Sequence, residues 1–180
     1  MEKHVIYPQG ILARNTGKAP LSAEDRLEIH ELVPALELAV DSRSWEIIRQ
    51  ILLPTWTYQA AFGSFANPDA FINFITKNSL LFEGIRHQHL NVIVRSQSQD
   101  SAVAISYLIV IQVAGVDGNT KPGMPRMVGH GVCLDEFVRD QAGEWRMLRR
   151  TVDQQSVQAD FISDPVERAL FEQVFVRTST

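Results

Sequence analysis

The segment Arg86-His87-Gln88-His89-Leu90-Asn91 carries two of the chain's five histidines, two residues apart. On a regular strand side chains alternate with a period of two, so His87, His89 and Asn91 are expected on one side. Imidazoles titrate near neutrality, so in a pocket this set can act as general acid or base, with the amide as a polar contact. The plainer reading is two solvated histidines at a strand start. A zinc site would need His130 to converge from another strand, and no ligand-spacing rule is met, so no metal is expected.

A second candidate is Asp41, in Val40-Asp41-Ser42-Arg43-Ser44-Trp45. A carboxylate at a helix C-terminus is disfavoured by the helix dipole. It either caps the next helix and faces water, or reaches into a cavity to orient and charge-stabilise a histidine. Cys133, between Val132 and Leu134, reads as a small core residue rather than a nucleophile. Trp45, Trp56 and Trp145 read as core or pocket walls, and Arg146, Arg149 and Arg150 as a solvated strand face.

The elements that must position these groups follow from periodicity and punctuation. Residues 1–20 mix Pro8, Gly10, Gly17 and Pro20 with polar residues and read as an irregular arm. Ser22, followed by Glu24 and Asp25, opens a helix whose apolar residues run to Val40, with a kink or interruption expected at Pro34. A short helix over 44–52, a strand over 55–60 and a helix from Asn67-Pro68-Asp69 follow. Four strands are then expected at 86–96, 101–114, 126–139 and 144–157, as an antiparallel meander, and a last helix at 165–176. The strand over 101–114 is apolar on both faces, with Val103, Ile105 and Tyr107 on one and Ala102, Ala104 and Leu108 on the other, so both faces need cover.

Composition narrows the function. The chain has 180 residues, 45% hydrophobic and 21% charged, which suits one packed domain rather than a disordered chain. A net charge of -4 argues against nucleic acid, and a single cysteine excludes an internal disulfide. The apolar run over 102–111 is too short to cross a membrane, and 1–20 lacks a signal-peptide centre, so a cytoplasmic protein without membrane contact is expected. Neither GxGxxG nor GxxxxGK[ST] occurs, and no cofactor is expected.

The order helix, Asp41-Ser42-Arg43-Ser44-Trp45, short helix, Pro54-Thr55, Tyr58, helix, Arg86-His87-Gln88-His89, then Gly129-His130-Gly131-Val132-Cys133-Leu134-Asp135 and Gly143-Glu144-Trp145 resembles the SnoaL-like group of the nuclear transport factor 2-like superfamily. Within it the motif order is most similar to scytalone dehydratase. The resemblance covers about residues 22–157 and implies an α+β, cystatin-like fold: a cone-shaped, strongly bent antiparallel sheet wrapped around helices, with an apolar pocket at one end. It places 21–180 in one SnoaL-like domain. It implies catalytic roles for Asp41 and for His89 or His87, and substrate contacts from Tyr58, Asn91, Tyr107, Cys133 and Asp135. Val113 stands where a second pocket histidine is expected, and Val40 where a tyrosine is common.

The expected function is a pocket protein for small molecules, a candidate lyase or isomerase. It would dehydrate, isomerise or cyclise an apolar oxygenated substrate by histidine and aspartate acid-base chemistry. The alternative is a non-catalytic ligand-binding module, or a structural subunit like the β subunit of ring-hydroxylating dioxygenases. Strand parity separates Cys133 and Asp135 from His130, Val132 and Leu134; the resemblance implies that Asp135 points into the cone, which leaves the other three on its outer face, where a homodimer is expected to form.

Overall fold

The computed structural model describes residues 21–114, 119, 124–157 and 165–176. The irregular arm expected over 1–20 lies outside them. Helix α1 (Ala23–Asp41) is capped by Ser22, whose hydroxyl accepts from the Asp25 amide at 2.9 Å. It runs through Pro34 without the expected interruption. Helix α2 (Trp45–Ile51) leads directly into strand β1 (Leu52–Ala60), which starts earlier than its β-branched residues suggest and includes Pro54. Strand β2 (Gly63–Phe65) turns back on β1, and helix α3 (Pro68–Lys77) starts at Asn67, whose side chain accepts from the Ala70 amide at 2.8 Å.

After a short 3-10 turn over Ser79–Phe82 come β3 (Ile85–Ser96), β4 (Ser101–Gln112), β5 (Arg126–Arg139) and β6 (Trp145–Val157). The expected boundaries lie within two residues of these. The strands form one curved, unclosed six-stranded sheet in the order β2-β1-β6-β5-β4-β3. The meander from β3 to β6 is antiparallel, but β1 pairs with β6 in parallel, so the sheet is mixed rather than wholly antiparallel. The reason is topological. The chain leaves β1 and β2 through α3, enters the far edge at β3, and β6 returns beside β1 in the same direction.

The concave face holds the main core. Ile29, Val33, Leu36 and Val40 of α1 meet Ala102, Ala104 and Leu108 of β4, with Trp56, Phe137 and Met147 fully buried among them. The other face of β4 carries a separate small cluster, Val103, Ile105 and Val132, flanked by Ile93 and Leu134. Helix α4 (Pro165–Phe171) continues as a wider turn over Glu172–Val176 and packs Phe171 against Leu81 and Phe82. Among the described residues no helix is long and apolar enough to cross a membrane.

Three of the sheet's register shifts bear on which side chains face inward. Between Leu90 and Ile93 the β3–β4 register shifts, with Asn91 at φ +55°. His87 and His89 face the core opposite Val110 and Leu108, and beyond the shift it is Val92 and Val94 that pack inward. Between Glu136 and Phe137 the β5–β6 register also shifts: Phe137 pairs with Met147, but Asp135 pairs with Arg150. The extra residue turns Arg150 inward and leaves Arg149 outside. A further shift lies between His130 and Val132, with Gln154 at φ +47° on the facing strand.

Candidate active site

Two carboxylates of α1, Glu37 and Asp41, are four residues apart and therefore share one helix face. Each engages one histidine of β3. The Asp41 Oδ1 lies 2.7 Å from His87 Nδ1, and its Oδ2 accepts the His87 backbone N–H at 3.0 Å. An ionised carboxylate only accepts, so Nδ1 carries the proton and the lone pair of a neutral His87 resides on Nε2. The Glu37 Oε1 lies 3.0 Å from His89 Nε2, and His89 Nδ1 lies 2.6 Å from Ser106 Oγ. Both nitrogens of His89 are thus spoken for.

Arg150 completes the cluster. Its Nε and Nη2 donate to Asp135 Oδ1 and Oδ2 at 2.7 and 2.9 Å, and its Nη1 donates to Glu37 Oε1. Arg150 is therefore not part of the solvated face expected with Arg146 and Arg149, because the bulge before it reverses strand parity. Asp135 is fully buried and holds Arg150 rather than meeting the cavity directly.

These groups border a cavity of about 90 Å³, several times the space one water needs. Its polar wall includes Glu37, His87, Arg150 and Gln155, and its aromatic wall includes Trp56, Tyr58, Phe62, Phe71 and Phe82. Phe171 of α4 closes part of the boundary. Tyr58 is the register partner of Arg150 on the neighbouring strand, so the phenol and the ion cluster share one patch of wall. Its ring stacks on Phe71 at 5.5 Å.

The electrostatics follow from this geometry. Burial opposes ionisation of Glu37, yet the guanidinium of Arg150 and the hydrogen bond from His89 outweigh it and hold the carboxyl well below its ordinary range. For His87, burial disfavours the imidazolium, but the Asp41 hydrogen bond and the charges of Glu37 and Asp41 prevail and raise its pKa above 6.5. Burial pushes the Tyr58 phenol and the Cys133 thiol well above their ordinary values, so both remain protonated at neutral pH.

The site therefore assembles some of the residues singled out in the sequence and leaves others aside. His87 and Tyr58 line the cavity, and Asp41 stands behind His87. His89 is near them but its side chain is 0% exposed, against 13% for His87. Cys133 is buried in the core. Asn91 is exposed at the bulge, and Tyr107, which shares strand parity with Val103 and Ile105, lies on the outer face beside His130. Glu37 and Ser106 belong to the site without being among the residues expected there. The four-residue step from Glu37 to Asp41, a charge among Leu36, Leu38 and Ala39, was the available signal for the first. Among the described residues no group of three or more histidine, cysteine or acidic side chains is arranged to hold a metal ion.

Residues 21–151 match the model of the SnoaL-like domain. The chain belongs to that family. No curated protein matches the sequence. Among solved structures, this SnoaL-like chain is similar to a cystatin-like protein from Nostoc punctiforme, with 22% identity and a TM-score of 0.62 over 82% of this chain and 99% of that one. It is similar also to a nuclear transport factor 2-like protein from Novosphingobium aromaticivorans, with 23% identity and a TM-score of 0.60 over 82% and 88%. A third is ActVI-ORFA from Streptomyces coelicolor, with 16% identity and a TM-score of 0.60 over 71% and 95%. At these identities the likeness establishes the nuclear transport factor 2-like, cystatin-like fold. The SnoaL-like domain here is a small-molecule pocket protein, and α4 extends it beyond the matched region.

Proposed function

We propose that this protein is a cofactor-independent acid-base enzyme acting on an apolar, oxygenated small molecule, with His87 as the group that moves the proton. The observation that carries this reading is the Asp41–His87 pair at 2.7 Å, with His87 opening into a largely apolar cavity. Asp41 holds the Nδ1–H and stabilises the imidazolium, leaving Nε2 to act. His87 Nε2 takes a proton from a carbon beside a substrate carbonyl, and the bond's electrons pass to the carbonyl oxygen as an enolate. The Tyr58 hydroxyl is the donor suited to that oxygen. His87 then returns the proton either to a departing hydroxyl, releasing water, or to another carbon, giving an isomer. His89 is assigned to holding Glu37 in place.

The test is exchange of carbonyl-adjacent hydrogen for deuterium, followed by NMR in D2O over a panel of enolisable aromatic ketones and β-hydroxy ketones. The wild type is expected to accelerate exchange, and His87→Gln and Asp41→Asn to lower it by about 10²-fold or more. Binding of the panel without exchange in the wild type would instead favour a non-catalytic ligand-binding module or subunit.

The homodimer belongs to the same proposal. Leu90, Tyr107 and Val132 are successive register partners across β3, β4 and β5 on the outer face, beside the Val103–Ile105 cluster. Leu90 and Tyr107 are exposed large side chains, and so is Met127. A second copy seated sheet to sheet would cover them.

A further inference from the structure

We infer that Trp56 is a ligand-binding residue whose indole N–H donates to an acceptor oxygen on a neutral, aromatic small molecule held in the cavity. The inference rests on the reading of the cavity as a small-molecule site, and not on proton transfer at His87.

Trp56 is fully buried and lines the cavity. Among the described residues its Nε1 is the buried side-chain polar atom without a hydrogen-bond partner. Leaving a buried donor unpaired forfeits its hydration without a replacement, and most buried donors in folded proteins are paired. Trp145, buried on β6, follows that rule: its Nε1 donates to Asp25 at 3.0 Å. A phenylalanine at position 56 would supply aromatic surface without the unpaired donor, so the N–H needs a partner that the described residues do not provide. Trp56 and Tyr58 lie on the same face of β1, two residues apart, with their ring centroids 5.8 Å apart.

The surroundings define the chemistry of the partner. The Trp56 ring lies 5.4 Å from Phe71 and 5.8 Å from Tyr58, both tilted, so the neighbouring wall suits a flat aromatic body. An indole only donates, so the partner atom must be an acceptor such as a carbonyl or ether oxygen. Around the polar wall stand three carboxylates, Glu37 and Asp135 on the Arg150 guanidinium and Asp41 on the His87 imidazole, against those two basic groups. That balance disfavours an anionic ligand and leaves a neutral one.

The test uses acetophenone and ethylbenzene, which differ chiefly in a carbonyl for a methylene. In the ¹H–¹⁵N spectrum of the full chain, the Trp56 indole resonance, assigned by elimination with Trp45→Phe and Trp145→Phe, is expected to move downfield with acetophenone. It should stay in place with ethylbenzene, and the Trp145 resonance should stay in place with both. Trp56→Phe is expected to weaken acetophenone about fivefold and to leave ethylbenzene within about twofold. An unmoved Trp56 resonance, at acetophenone concentrations that shift the His87 ring signals, would overturn the inference and assign the N–H to a neighbouring ring face or a water. Failure of both probes to bind would overturn it too. A shifted Trp56 resonance with no deuterium exchange on acetophenone would leave the inference standing and count against the proton-transfer reading.

Discussion

Arg150→Met is the perturbation that most directly interrogates the buried cluster. Arg150 is 3% exposed, Asp135 0% and Glu37 6%, and three hydrogen bonds join them. Methionine fills a similar volume, so the main effect is to leave two carboxylates without their cation in the core. Breaking a buried ion pair by removing one partner costs about 3–5 kcal/mol, because the other charge remains desolvated. At about 2–4 °C per kcal/mol for a domain of this size, thermal unfolding should fall by roughly 6–20 °C. The pH dependence adds a second reading. The folded-state pKa of Glu37 is depressed, so its contribution is present above the unfolded carboxyl value near 4.5 and is lost as pH falls through the folded value. The gap between wild type and Arg150→Met should therefore be widest at neutral pH and narrow below about pH 4.5. Calorimetry or circular dichroism at pH 7 and pH 4 measures both. A shift below about 2 °C at pH 7, or a gap that widens on acidification, would refute the reasoning.

His87 should titrate above 6.5 in the folded protein, read from its ring proton resonances, and Asp41→Asn should lower that value; its stabilising contribution is full below 6.5 and disappears as pH rises through the folded pKa. A wild-type value at or below 6.5 would contradict the pairing. Gly84, at φ +65° just before β3, would carry a Cβ 2.1 Å from the Ala114 carbonyl oxygen, whereas Gly143, at φ +87°, has open space around it. Gly84→Ala should cost more than about 2 kcal/mol and Gly143→Ala about 1 kcal/mol in denaturant unfolding; equal costs would remove the steric argument. Light scattering at micromolar concentration should give twice the mass of one chain, and Tyr107→Glu should shift it toward a single chain. A wild-type monomer would defeat the sheet-to-sheet dimer.

Local chemistry, legible in the sequence, determined most of the elements. Ser22 and Asn67 cap the helices they were expected to cap, and the four long strands follow their β-branched runs. The same local logic located Asp41 at a helix end and two histidines on a strand. What it could not supply was parity. A bulge adds one residue, reverses every later side chain, and leaves no mark in a period-two pattern. Thus Asn91, expected beside the histidines, is outside, and Arg150, expected in water, is the cation of the core. Choosing between His87 and His89 also required the fold. The two side chains share a face, and only the packing of α1 across β3 pairs one with Asp41 at the cavity and seals the other between Glu37 and Ser106. Side-chain type and spacing determine which groups are available for chemistry, but contacts between residues 46 to 113 positions apart in the chain decide which of them meet.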